Sequence, residues 1–184
     1  MVKHLFTVVS IALILGGFLC RPNLSAESVQ NKEYLIKAAF LYNFTKFVDW
    51  PSESFKNDVD PIKLYVLGND PFGEALDTIR GKIVKGRKLV ISRVQKVEEI
   101  EGAHLLFISP SEKARVKEIL QSLRNKPVLT ISEMERFGQL GGMINFIRVE
   151  DKVQFEINSE QAQQQKLKIS SQLLKLARIV RSES

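Results

Sequence analysis

This chain is poor in the residues that carry most protein chemistry. It has one Cys, two His and one Trp. Cys20 and His4 both fall within Met1–Ala26, a leader-like segment, so the remainder holds no Cys and a single His, His104. Without Cys there is no disulfide, no thiolate nucleophile and no Cys-based metal site. One imidazole is too few for most His zinc arrangements, and a Ser-His-Asp triad would have to be built on His104 alone. That residue opens an apolar run, where a structural imidazole is the simpler reading. A dense basic tract is missing too. The formal charge of +6 becomes +4 once Lys3 and Arg21 of the leader are set aside, with 25 basic against 21 acidic residues. Nucleic acid is therefore not an expected partner. No catalytic residue, metal or cofactor is expected.

What is present starts with that leader. Lys3 and His4 precede an apolar run, Leu5–Leu19, and a signal-peptidase cut fits after Leu24-Ser25-Ala26. The run falls short of the roughly 20 residues needed to span a bilayer. Acylation of Cys20 is the lesser alternative, because bulky Leu19 directly precedes it. The expectation is a cleaved signal peptide over residues 1–26, a single exported domain over 27–184, and a periplasmic location.

Two kinds of segment alternate after the leader. Ala26–Asp49 reads as a helix stopped by Pro51. Strands are expected at Ile62–Leu67, Lys88–Ser92, His104–Ile108 and Pro127–Ile131. Helical stretches are expected at Phe72–Ile79, Val97–Ile100 and from Ser109-Pro110 to Leu123. Ser132–Glu135 has the form of a capping box opening a short helix. Met143–Val149 and Lys152–Ile157 read as an antiparallel hairpin. Asn158 caps a polar helix to Gln165, and Ser170–Val180 reads as the last helix. The pattern predicts an α/β fold: one three-layer domain, a mostly parallel sheet flanked by helices, with a C-terminal antiparallel hairpin.

Several residues stand out as contact candidates. Asn43 shares a helical face with Ile36, Phe40 and Phe47, on a helix apolar nearly all round. Such a helix is buried on more than one side or forms an interface, and Asn43 either ties it to a neighbouring backbone or meets a ligand or partner. Trp50 is an expected anchor in the core or a subunit interface, with an indole N–H that needs an acceptor. Gly81–Lys88 imitates a phosphate loop, but Arg87 and Lys88 occupy the lysine and hydroxyl positions and the segment leads into a strand. It reads as a basic turn in which Arg87 can still hold an anion. Asn145 and Asn158 flank the hairpin region beside Gly141-Gly142. Ser109 and Ser132 begin capped segments just past strand ends, where doubly wound folds place ligands. Leu167–Ser171, with Lys168 and Ser170 as its polar atoms, completes the candidate contacts.

Three stretches go beyond generic α/β: Tyr34–Pro51 (YLIKAAFLYNFTKFVDWP), Val128–Phe146 (VLTISEMERFGQLGGMINF) and Val153–Ala177 (VQFEINSEQAQQQKLKISSQLLKLA). Together they closely resemble the YfiR family of small exported bacterial proteins, over essentially all of Glu33–Val180. The resemblance implies a non-enzymatic, dimeric regulator. It implies binding to the periplasmic part of an inner-membrane diguanylate cyclase, which lowers cyclic-di-GMP and biofilm formation. A sensor kinase is an equivalent partner class, and an OmpA-like outer-membrane lipoprotein is implied as the sequestering partner. The family's namesake carries disulfide-forming cysteines, one of them where this chain has Ala103, so redox control does not transfer. Two other classes stand beside this one. One is a periplasmic binding protein for a small anionic metabolite or nucleotide, held by Arg87, Asn145 and Lys168. The other is a hydrolase using acidic residues.

Overall fold

The structure, a computed structural model, describes residues 24–183. Cys20 and most of the expected leader lie outside them. The described residues open with α1 (Leu24–Phe47), a stretch without Gly or Pro. Ala38, Leu41, Phe44 and Thr45, spaced to share one face, are fully buried. The helix ends two residues before the expected Asp49. Val48–Asp49 is instead an extended segment, β1, paired antiparallel with Lys168–Ile169.

The core is a sheet of strands β2 (Ile62–Leu67), β3 (Ile83–Val84), β4 (Arg87–Val94), β5 (Leu105–Ile108), β6 (Leu129–Ser132), β7 (Ile144–Val149), β8 (Lys152–Ile157) and β10 (Arg178–Ile179). Two short strands, β1 and β9 (Lys168–Ile169), lie outside it and pair with each other. The spatial order is β10-β8-β7-β6-β5-β2-β4-β3. Strands β4, β2, β5, β6 and β7 run parallel, β8 returns antiparallel on β7, and β3 folds back on β4. The expected α/β class, the mostly parallel sheet and the late antiparallel pair are all present.

Period-two alternation sorts the strand residues between two cores. Leu64, Val66, Leu105, Phe107, Leu129, Ile131, Ile144 and Phe146 pack beneath α1. Leu67, Leu106 and Ile108 face the other way, onto Ile119, Leu120 and Leu123 of α2 (Val116–Ser122) and its surroundings. Every residue of β5 and of β6 is buried, as continuous apolar runs in parallel sheets require.

Two expected helices are replaced. Ser132–Glu135 opens a series of turns rather than a helix. Ser132 Oγ does accept from the Met134 N–H, but Glu133 is drawn away to α1 and Arg136 adopts a left-handed φ of 61°. The last helix is only α4 (Ser171–Leu174), not Ser170–Val180. Beyond it, Arg178 and Ile179 pair parallel with Glu156 and Ile157, and the Val180 N–H donates to the Ile157 carbonyl. The open edge of β8 outcompetes local helix propensity, since edge pairing satisfies its backbone groups.

Candidate functional site

The most distinctive surface is the second face of α1. Val29 is 56% and Ile36 is 41% exposed, while Phe40 and Phe47 are half-buried along the same stripe. The helix is therefore buried on one face only, and its flanking apolar stripe remains open. Beside the stripe, Val153 of the hairpin completes a groove of about 680 Å³. Charges of both signs rim it, Lys32, Glu33, Arg148 and Asp151 among them. Asn43 sits on the stripe, half-buried, so water reaches it and no protein partner is required.

Position on the sheet is fixed by the buried face of α1 and by one charged cluster that the sequence reading missed. Lys37 is 5% exposed, and its ammonium lies 2.5 Å from Glu33 and also binds Glu133 just past β6. The Tyr34 hydroxyl donates to Glu133 at 3.0 Å. Burial and the neighbouring carboxylates push that phenol's pKa well above its usual value, so it stays a neutral donor. The only sequence signal was the four-residue spacing of Glu33 and Lys37.

Trp50 and Arg87 meet through a shared stack. The Trp50 indole N–H donates to the His104 carbonyl at 3.0 Å, the acceptor the sequence demanded. His104 Nδ1 accepts from the Lys63 N–H at 3.1 Å, so its neutral form carries the proton on Nε2. Phe55 stacks on the His104 ring with centroids 4.4 Å apart. The Arg87 guanidinium lies 3.8 Å from the Phe55 centroid and donates to the carbonyls of Asn57 (2.7 Å) and Asp60 (3.0 Å). Arg87 thus clamps a loop. The imitation phosphate loop is a tight hairpin turn, with Lys85 at φ 50° and Gly86 at φ 80°.

The polar residues near the hairpin serve separate networks. Asn145 is 2% exposed and donates at 3.5 Å to Glu156, which Arg178 also binds. Fully buried Asn158 accepts from the Gln161 N–H and donates to the Gly138 carbonyl (2.9 Å) and Ser182 Oγ (3.0 Å). It joins α3 (Ser159–Gln164), the loop before β7 and the C-terminal tail. Asn158→Ala is expected to cost roughly 1–3 kcal/mol, the loss of an N-cap plus an orphaned carbonyl, read as a lower urea midpoint at unchanged slope.

Lys168 lies exposed on β9 opposite Asp49. Ser170 caps α4 through the Leu173 N–H, and its own N–H donates to the Phe47 carbonyl. These two candidates therefore border the C-terminal end of α1. Arg87, Asn145 and Lys168 do not converge. Arg87 on β4 and Asn145 on β7 are four strand spacings apart, roughly 19 Å, too far for one small ligand.

The strand-end positions are also occupied by the protein itself. Between β2 and β5, where the sheet reverses its order, the Asn69 N–H donates to Ser111 Oγ at 3.0 Å. A Cβ on Gly68 would stand 2.5 Å from that oxygen, so the crevice is filled. Ser132 Oγ donates to the Ile108 carbonyl at 2.7 Å. Among the described residues no group of three His, Cys, Asp or Glu could hold a metal ion, and no helix is long and apolar enough to cross a membrane.

Residues 34–178 match a protein-family model described as YfiR/HmsC-like. No curated protein matches the chain.

Proposed function

Because this chain belongs to the YfiR/HmsC-like family, at family level one of periplasmic regulators of diguanylate cyclase, we propose that it docks on the periplasmic part of an inner-membrane signalling protein. In this reading it is exported by a cleaved leader, acts as a homodimer and holds a diguanylate cyclase down, so that cyclic-di-GMP falls. An OmpA-like lipoprotein would release the cyclase by sequestering it. The observation that supports docking is the open apolar stripe of α1. A helix anchored by one face offers the other without rearrangement, and an apolar centre with a charged rim is the usual anatomy of a protein interface. Regulation by such contact needs differential affinity for two partner states, not turnover.

Ile36→Glu places a charge at the centre of the stripe without touching the core. Affinity for the partner's purified periplasmic domain is expected to fall at least tenfold, about 1.4 kcal/mol. The melting temperature of the variant should match that of the parent. Unchanged affinity would remove the stripe from the interface. Cells lacking the gene are expected to hold more cyclic-di-GMP, and unaltered levels would refute the cyclase reading.

A further inference from the structure

A second cleft lies away from α1 and shares no residue with its groove. It has a volume of about 600 Å³, within the size range of small-ligand pockets. Its walls are the C-terminal part of α2, the loop Gln139–Gly141, α3 and the tail at Ser182-Glu183. Five glutamines (Gln121, Gln139, Gln161, Gln164 and Gln165) line it together with Arg124. Each amide offers two N–H donors and one carbonyl acceptor. Gln161 Nε2 donates to Gln164 Oε1 at 3.0 Å, which turns the other half of each amide to solvent or a ligand. Gln165 is only 8% exposed, and its Oε1 receives no hydrogen bond from the described residues. That oxygen is a costly unpaired acceptor enclosed in the wall, and a side-chain rotation toward the cleft would let a ligand N–H satisfy it.

The lining also selects the ligand class. Among the described residues no aromatic side chain faces the cleft, which leaves nothing to stack on a nucleobase or on the apolar face of a sugar ring. Lys117 and Arg124 border it, and neither pairs with a carboxylate among the described residues, whereas Glu183 is already bound to Arg136. The cleft thus combines alternating donors and acceptors with an excess of positive charge. A peptide chain presents that complement: N–H and C=O groups in alternation, ending in a carboxylate.

We propose that this cleft binds a short peptide through its backbone amides, with Arg124 holding the C-terminal carboxylate. The inference stands independently of the regulator reading, since it concerns other residues and a different readout. The test is titration of the purified protein with tri-alanine, followed by calorimetry and by the side-chain amide signals of its ¹H–¹⁵N spectrum. Saturable shifts confined to the cleft glutamines are expected. Affinity should drop at least tenfold with Arg124→Gln, with Gln161→Leu, or when the peptide's C-terminus is amidated. Arg124 is exposed and Gln161 half-buried, so unchanged melting temperatures separate lost binding from lost folding. The proposal is overturned by no saturable response up to about 10 mM, by equal affinity for the amidated peptide, or by equally tight binding of N-acetylglucosamine.

Discussion

Phe44→Ala is expected to remove about 3–5 kcal/mol of stability, a large share of the roughly 5–15 kcal/mol available to a domain. Phe44 is fully buried where α1 crosses the hairpin, its ring 5.8 Å from Phe146 and 5.3 Å from Phe155. Truncation loses the transfer energy of the ring and leaves a cavity that two aromatic neighbours on a rigid sheet cannot fill. Urea denaturation of parent and variant measures the loss. The contrast with Ile36→Glu is the informative part. Both changes lie on one helix eight residues apart, yet the first should weaken the fold and the second only the contact with a partner. A loss below about 1 kcal/mol for Phe44→Ala would mean that α1 is not anchored as described.

That contrast also marks where the sequence was legible. Apolar runs and alternation located β2, β5, β6 and the hairpin, because burial on one or both faces writes itself into the residue pattern. Asn158 caps α3 as its place before the polar run predicts, a local device with a local signature. The two-residue strands were not legible. Val48–Asp49 pairs with Lys168–Ile169 across the length of the domain, and two residues carry no period. At the C-terminus, local helix propensity was real but weaker than the pairing available along β8.

The candidate site was half legible for the same reason. The pattern showed that α1 is apolar on most sides, but only the packed structure decides which side the sheet covers. Arg87 reads as a free cation until the loop it clamps is present, since backbone carbonyls leave no trace in side-chain chemistry. Lys37 is the reverse case. A charged residue on an otherwise apolar helix carries no pattern that marks it as buried, and the two carboxylates that make its burial tolerable come from Glu33 and distant Glu133.

Acid should loosen the domain through His104, and the direction follows from its surroundings. The imidazole is 3% exposed, and burial lowers its pKa from 6.5 to about 4. The Ser54 backbone favours the protonated form and Asp60 does so weakly, while Lys63 and Arg87 oppose it. Between these two pKa values the unfolded chain binds a proton that the folded chain refuses, so stability rises with pH across that window. The contribution is whole above pH 6.5 and is lost as pH falls through about 4. A shift of this size corresponds to something on the order of 3 kcal/mol. His104→Asn keeps an acceptor for the Lys63 N–H and removes the titration. Urea midpoints taken at pH 7 and pH 4.5 should therefore fall further for the parent than for the variant, by about 2–3 kcal/mol after conversion. Carboxylates elsewhere act equally in both proteins and cancel in that difference. Equal acid sensitivity in the two would show that His104 titrates alike in the folded and unfolded chains, and that the stack of Trp50, His104, Phe55 and Arg87 admits a proton at little cost.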